Sequence, residues 1–162
     1  MKNKKAQEEM VGFALIIIVV AVILLVFLSF SLRTGQKEPV ESYEVESFIQ
    51  SFLQYTSDCS DNFGNMEIQE LIFACNENII CVDERDTCEV LRGTLTNIVG
   101  ESWKTGSDRP VKGYELLISS SSGEIMNLIE GERTTNLKGA TQPFFKGGES
   151  FDITFTAYYE SN

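Results

Sequence analysis

The chain has 162 residues, 43% of them hydrophobic, with 13 Lys and Arg set against 24 Asp and Glu and no histidine, giving a formal charge of −11. An acidic balance of that size opposes the phosphate attraction that dominates nucleic-acid binding. The lack of histidine removes Ser-His and Cys-His nucleophile pairs and any mixed Cys-His zinc site.

The apolar content is not evenly spread. Met1 to Glu9 is a short charged leader, and Met10 to Leu32 follows with no charge and no proline in 23 residues. As an α-helix that stretch reaches about 35 Å, enough to cross a hydrocarbon core of about 30 Å with some tilt. A transmembrane helix is therefore expected. Lys2, Lys4 and Lys5 precede it and only Arg33 and Lys37 follow among carboxylates, so the amino terminus is placed in the cytoplasm and the remainder outside. Ser29-Phe30-Ser31 resembles a signal-peptidase site, but the apolar run exceeds the usual h-region length.

The junction carries more than an anchor requires. Lys4-Lys5-Ala6, then Gln7-Glu8-Glu9-Met10-Val11-Gly12, then Phe13-Ala14-Leu15-Ile16-Ile17-Ile18, resembles the class III leader of archaeal type IV pilins and related filament proteins. The resemblance covers about the first 32 residues. It implies cleavage by a prepilin peptidase between Ala6 and Gln7, with Lys5 and Ala6 before the scissile bond. Glu9, Val11 and Gly12 fall on the family's acidic, aliphatic and glycine positions, whereas Ala6 stands where glycine is commoner, Glu8 is an additional acid, and Val11 stands at the fifth mature position, where some relatives carry Glu. Cutting there removes three lysines and leaves an amine beside Glu8 and Glu9, a nearly neutral terminus that costs less to move into an apolar filament core. The resemblance also implies other copies of the chain, or related pilins, as partners in a cell-surface filament.

Beyond the helix, 130 residues hold 10 Lys and Arg against 22 Asp and Glu, a formal charge of −12 in one domain-sized segment. Gly35 and Pro39 end the first helix and make residues 35–39 a hinge. A second helix is expected from Val40 to about Thr56, with Val45, Phe48, Ile49, Phe52 and Leu53 on one face. Asp58 to Asn65 reads as a turn cluster. Its spacing fails as an EF-hand, because Cys59 and Phe63 would fall on ligand positions. Asn65 is expected to cap a third helix, Met66 to about Asn76. Asp86 with Glu89 is a capping-box-like start to a fourth, with Leu91, Leu95, Ile98 and Val99 buried, Gly93 weakening it and Gly100 fraying its end.

Cys59, Cys75, Cys81 and Cys88 lie within 30 residues, an even set after a translocating segment, and read as two disulfides in an oxidising compartment. Three pairings are open. The gaps contain no C-x2-4-C pair, which disfavours zinc.

From Lys104 the texture changes to strands: Gly113 to Ser119, Glu124 to Ile129, Thr134 to Leu137 and Phe151 to Tyr159, separated by Ser-Gly, Glu-Gly and Gly-Gly turns. In the last, Phe151, Ile153, Phe155, Ala157 and Tyr159 alternate with mainly polar residues. Phe144-Phe145 and Tyr158-Tyr159 are candidate contact residues, of which alternation should bury half. Asp83, Glu84 and Asp86 could form a carboxylate pair, but read as a solvated charged loop.

The expected architecture is α+β, a pilin-like arrangement: leader 1–6, long transmembrane or filament-core helix 7–34, hinge 35–39, and an extracytoplasmic domain 40–162 that is helical over 40–103 and an antiparallel sheet over 104–162. The expected function is a non-enzymatic pilin-like subunit with no catalytic, cofactor or metal residues and no small-molecule substrate. The alternative is an uncleaved, membrane-anchored ectodomain that binds a surface or soluble partner.

Overall fold

A computed structural model describes residues 14–27 and 42–161. Lys5, Ala6, Gln7, Glu8 and Glu9, the hinge at 35–39 and both ends of the expected membrane helix lie outside the described residues. The chain divides into two compact units with the boundary at Glu38 and Pro39.

In the first unit, residues 14–27 form α1, and every one of them is exposed. Its 14 residues span about 21 Å. No helix among the described residues is long and apolar enough to cross a membrane.

The second unit opens with α2, Tyr43–Leu53, which buries Val45, Ile49, Phe52 and Leu53 as its periodicity requires. The expected continuation to Thr56 does not occur. Thr56 instead begins β1, Thr56–Ser60, which pairs antiparallel with β2, Asn65–Glu67. Ser57 is buried and donates its hydroxyl to the Met66 carbonyl at 2.8 Å, tying the two strands together. The same pairing corrects the third helix. Asn65 is a strand residue rather than a cap, and α3 runs Ile68–Asn76 with extended Glu67 before it. Backbone pairing across the hairpin has replaced a local side-chain cap.

α4, Thr87–Ser102, starts where the sequence indicates, with Asp86 accepting a hydrogen bond from the Glu89 amide at 2.8 Å. It does not fray at Gly100. Trp103, 7% exposed, packs its ring 5.6 Å from Phe48 and 5.1 Å from Phe155, and its amide bonds back to Val99. Burial of that indole outweighs the helix cost of glycine, about 1 kcal/mol.

Four strands follow: β3, Val111–Ser120; β4, Gly123–Gly131; β5, Asn136–Lys146; and β6, Glu149–Tyr159. They form one antiparallel sheet in the order β4-β3-β6-β5. Strand β5 is much longer than Thr134 to Leu137 and begins at Asn136. Its Gly139 and Pro143 interrupt the strand pattern in sequence, yet β5 is an edge, where a missing ladder donor is tolerated. Gly113 and Gly131 face each other across β3 and β4 and let the two strands meet closely. A Cβ on Gly113 would sit 2.6 Å from the Glu132 carbonyl oxygen, and one on Gly131, whose φ is +76°, would collide with the Lys112 carbonyl.

One sheet face packs on the helices. Phe151, Ile153, Phe155 and Ala157 are fully buried there, and Phe155 is ringed by Phe48, Trp103 and Tyr114 at 5.1 to 6.0 Å between ring centroids. Such aromatic pairs add to the gain from area alone.

Candidate functional site

The chemistry-bearing residues that the fold draws together are the four cysteines. Cys59 on β1 bonds to Cys81, and Cys75 near the end of α3 bonds to Cys88 in the first turn of α4. The pairing is first to third and second to fourth, so the two covalent loops interlock. They close 22 and 13 residues, and bridges over loops of that size stabilise by about 3 kcal/mol each. Two such bridges point to an oxidising, extracytoplasmic environment.

These bonds define a cystine lobe over residues 57–89, built from β1, β2, α3, the 77–86 loop and the start of α4. Polar contacts fix the loop further. Arg85 donates to the Asp58 carboxylate at 2.8 Å, to the Asp58 carbonyl at 2.7 Å and to Asp83 at 2.7 Å. Those hydrogen bonds hold the Asp83 carboxyl below its ordinary range and raise the Arg85 guanidinium, with Asp58 the larger contributor. Buried Thr87 donates to the Ile79 carbonyl at 2.6 Å. Asp83, Glu84 and Asp86 thus do not form a catalytic pair: Asp83 holds Arg85, Asp86 caps α4, and Glu84 takes a left-handed conformation with φ +67°.

The hairpin between β1 and β2 ends in a tight turn. The Asp61 carboxylate accepts from the Phe63 amide at 2.7 Å and the Gly64 amide at 3.0 Å. This employs as a turn brace the acid that a calcium loop would need as a ligand. Phe63 at the tip is 98% exposed, and in the neighbouring loop Ile79, Ile80 and Val82 are 46%, 60% and 62% exposed. Composition and spacing alone give these four no role. Their signal is an apolar triplet around a cysteine, followed at once by Asp83-Glu84-Arg85-Asp86, which by period alone also fits a buried strand.

Two open clefts are found among the described residues, the second bordering the lobe at Asp58. One, of about 380 Å³, is lined by Thr105, Gly106, Ser107, Lys112, Gly131 and Glu132, and the other, of about 300 Å³, by Tyr55, Asp58, Thr94, Asn97 and Ile98. In the first, Lys112 is committed to the Ser107 carbonyl at 2.7 Å and lies 3.7 Å from Glu160. In the second, Asp58 is the one ionisable acid, and it is held by Arg85. At the first cleft Thr105 donates its hydroxyl to the Glu130 carboxylate at 3.0 Å. Among the described residues there is no cluster of three or more His, Cys, Asp or Glu able to hold a metal ion.

Phe144 and Phe145 divide as strand alternation requires, but the end of β6 departs from it, because Tyr158 is buried directly after Ala157 while Tyr159, expected on the apolar face, is only half-buried. Phe144 and Tyr158 are buried, Phe145 is 77% exposed, and Tyr159 is half-buried with the Lys138 ammonium 5.0 Å from its ring centre. Tyr158 donates to Glu115, which also pairs with Arg133 at 2.9 Å.

Comparison of the chain with protein-family models, with curated proteins and with solved structures finds no match.

Proposed function

We propose that this chain is a type IV pilin-like subunit, inserted through Met10 to Leu32, cleaved between Ala6 and Gln7, and assembled into a cell-surface filament. The observation that carries the reading is the junction itself: a basic leader ending in Lys5-Ala6, then Gln7-Glu8-Glu9, Val11-Gly12 and an uncharged apolar run. Two structural features support it. The described part of that run is a helix whose side chains are all exposed within the chain, a surface that needs lipid or neighbouring helices to cover it. The globular part carries two disulfides, in keeping with an exterior location.

On this reading the apolar helix occupies lipid first and a filament core second, and a prepilin peptidase makes the cut that permits the transfer. Glu8 and Glu9 accompany the new amine into the core. Mass spectrometry of the amino terminus of protein recovered from its native membrane tests the proposal. A mature chain beginning at Gln7 supports it, whereas a chain retaining Met1 or Lys2 removes it and leaves an anchored ectodomain.

A further inference from the structure

Burying Phe63, Ile80 and Val82 would each contribute about 1.5–3 kcal/mol, yet the fold holds them in water. Covalent and backbone bonds fix the chain that carries them. The Cys59–Cys81 bond and the Val82 amide, which donates to the Ser60 carbonyl at 2.9 Å, lay the 79–82 segment against the hairpin that ends in Phe63. Cys81 is buried while Ile80 and Val82 on either side are exposed, so the disulfide turns both neighbours outward. The two non-glycine residues with positive φ among the described residues, Asn78 at +56° and Glu84 at +67°, flank this segment. Asn78 stands just past the end of α3, with the Ile79 amide bonding back to the Ala74 carbonyl at 2.9 Å, and Glu84 closes the turn from Cys81 to Arg85, so backbone hydrogen bonds at both ends fix the exposed apolar segment between them.

The charge around the patch states what fits it. Residues 57–89 contain nine carboxylates and one cation, Arg85, which Asp58 and Asp83 already hold. Residues 90–160, by contrast, contain nine carboxylates and seven cations. The acidity is therefore concentrated where the apolar groups are. It opposes pairing of two copies through the same lobe and opposes an anionic lipid surface.

We infer that Phe63, Ile80 and Val82 form a docking surface for a partner protein that presents an apolar socket ringed by lysine and arginine. The apolar tip supplies affinity and the acidic rim supplies orientation and encounter rate. The inference does not depend on how the amino terminus is processed, so a negative result here leaves the filament proposal standing.

The probe is a synthetic amphipathic helix of leucine and lysine, titrated against the oxidised full-length chain in non-ionic detergent. The double variant F63S/V82S is expected to bind it about tenfold more weakly, and F145S, altered at an exposed phenylalanine outside the lobe, to bind as the parent does. E67Q/E84Q keeps the apolar tip and should flatten the salt dependence, measured toward about 1 M, where screening shortens to about 3 Å. Unchanged binding by F63S/V82S, or equal losses in F145S, overturns the inference. So does binding to phosphatidylglycerol vesicles that F63S/V82S weakens as much as it weakens peptide binding, or self-association by sedimentation that F63S/V82S abolishes. Matched thermal midpoints and intact disulfides in all variants tie the differences to the surface.

Discussion

The cystine lobe and the sheet share one core but are held in order by different means. The sheet half buries Phe151, Ile153 and Phe155 completely on its helix-facing side, where aromatic packing orders it. The lobe also buries Ile68, Leu71 and Ile72 of α3, but it leaves Phe63, Ile80 and Val82 in water and adds two covalent bridges and a guanidinium brace to its apolar packing. A segment that reserves apolar groups for another surface has less to contribute to its own core, and cross-links offset that deficit.

The contrast is most sharply tested at its two anchors. Phe155→Ala, which opens a cavity among Phe48, Trp103 and Tyr114, should cost about 3–5 kcal/mol in chemical denaturation. A loss below about 1 kcal/mol would show that the aromatic cluster is not the keystone of the sheet half. Replacing Cys75 and Cys88 together by serine should cost about 3 kcal/mol, and by hydrogen exchange the added opening should appear in α3 and the 77–86 loop rather than in β3 and β6. Equal loss of protection in the sheet would mean that the two regions are one cooperative unit. Asp86→Ala removes the cap of α4 and should cost about 1 kcal/mol, whereas Asp86→Asn should restore most of it.

The smallest effect at neutral pH, and the one most specific to region, is titration. Burial first and the nearby Glu130 second push the Tyr114 hydroxyl well above its ordinary value of 10.0, and burial raises Tyr158 and Tyr159 in the same direction. For groups raised in the folded state, the stabilisation is complete below about pH 10 and is lost as pH climbs toward the folded value. Alkaline unfolding should therefore begin in the sheet, and Tyr114→Phe should flatten that limb of the stability profile. Asp83 has the opposite sign. Its lowered carboxyl stabilises the lobe above its ordinary 3.8 and ceases to do so as pH falls below that. An alkaline limb unchanged by Tyr114→Phe would refute the assignment.

Local rules read well wherever one element could satisfy itself. The apolar face of α2, the Asp86 cap and the alternation of Phe151 to Ala157 are each written in a few neighbouring residues, and the fold uses each as written. Departures occur where a distant partner intervenes. Asn65 has the chemistry of a helix cap, but pairing of β2 with β1 recruits it into a strand; Gly100 has the chemistry of a helix end, but Trp103 anchors one more turn onto Phe48 and Phe155. The strand expected to end at Leu137 continues through Pro143 to Lys146, because β5 is an edge, where a missing ladder donor is tolerated.

The candidate site divides along the same line. That four clustered cysteines form two disulfides follows from number, spacing and the lack of histidine, all of which are local facts. Which cysteines pair, and that Phe63, Ile80 and Val82 face water, does not follow, because an apolar residue carries the same hydrophobicity wherever the chain sends it. Its burial is set by what folds over it. Here the 59–81 bridge and the left-handed residues Asn78 and Glu84 turn the loop so that nothing among the described residues covers it.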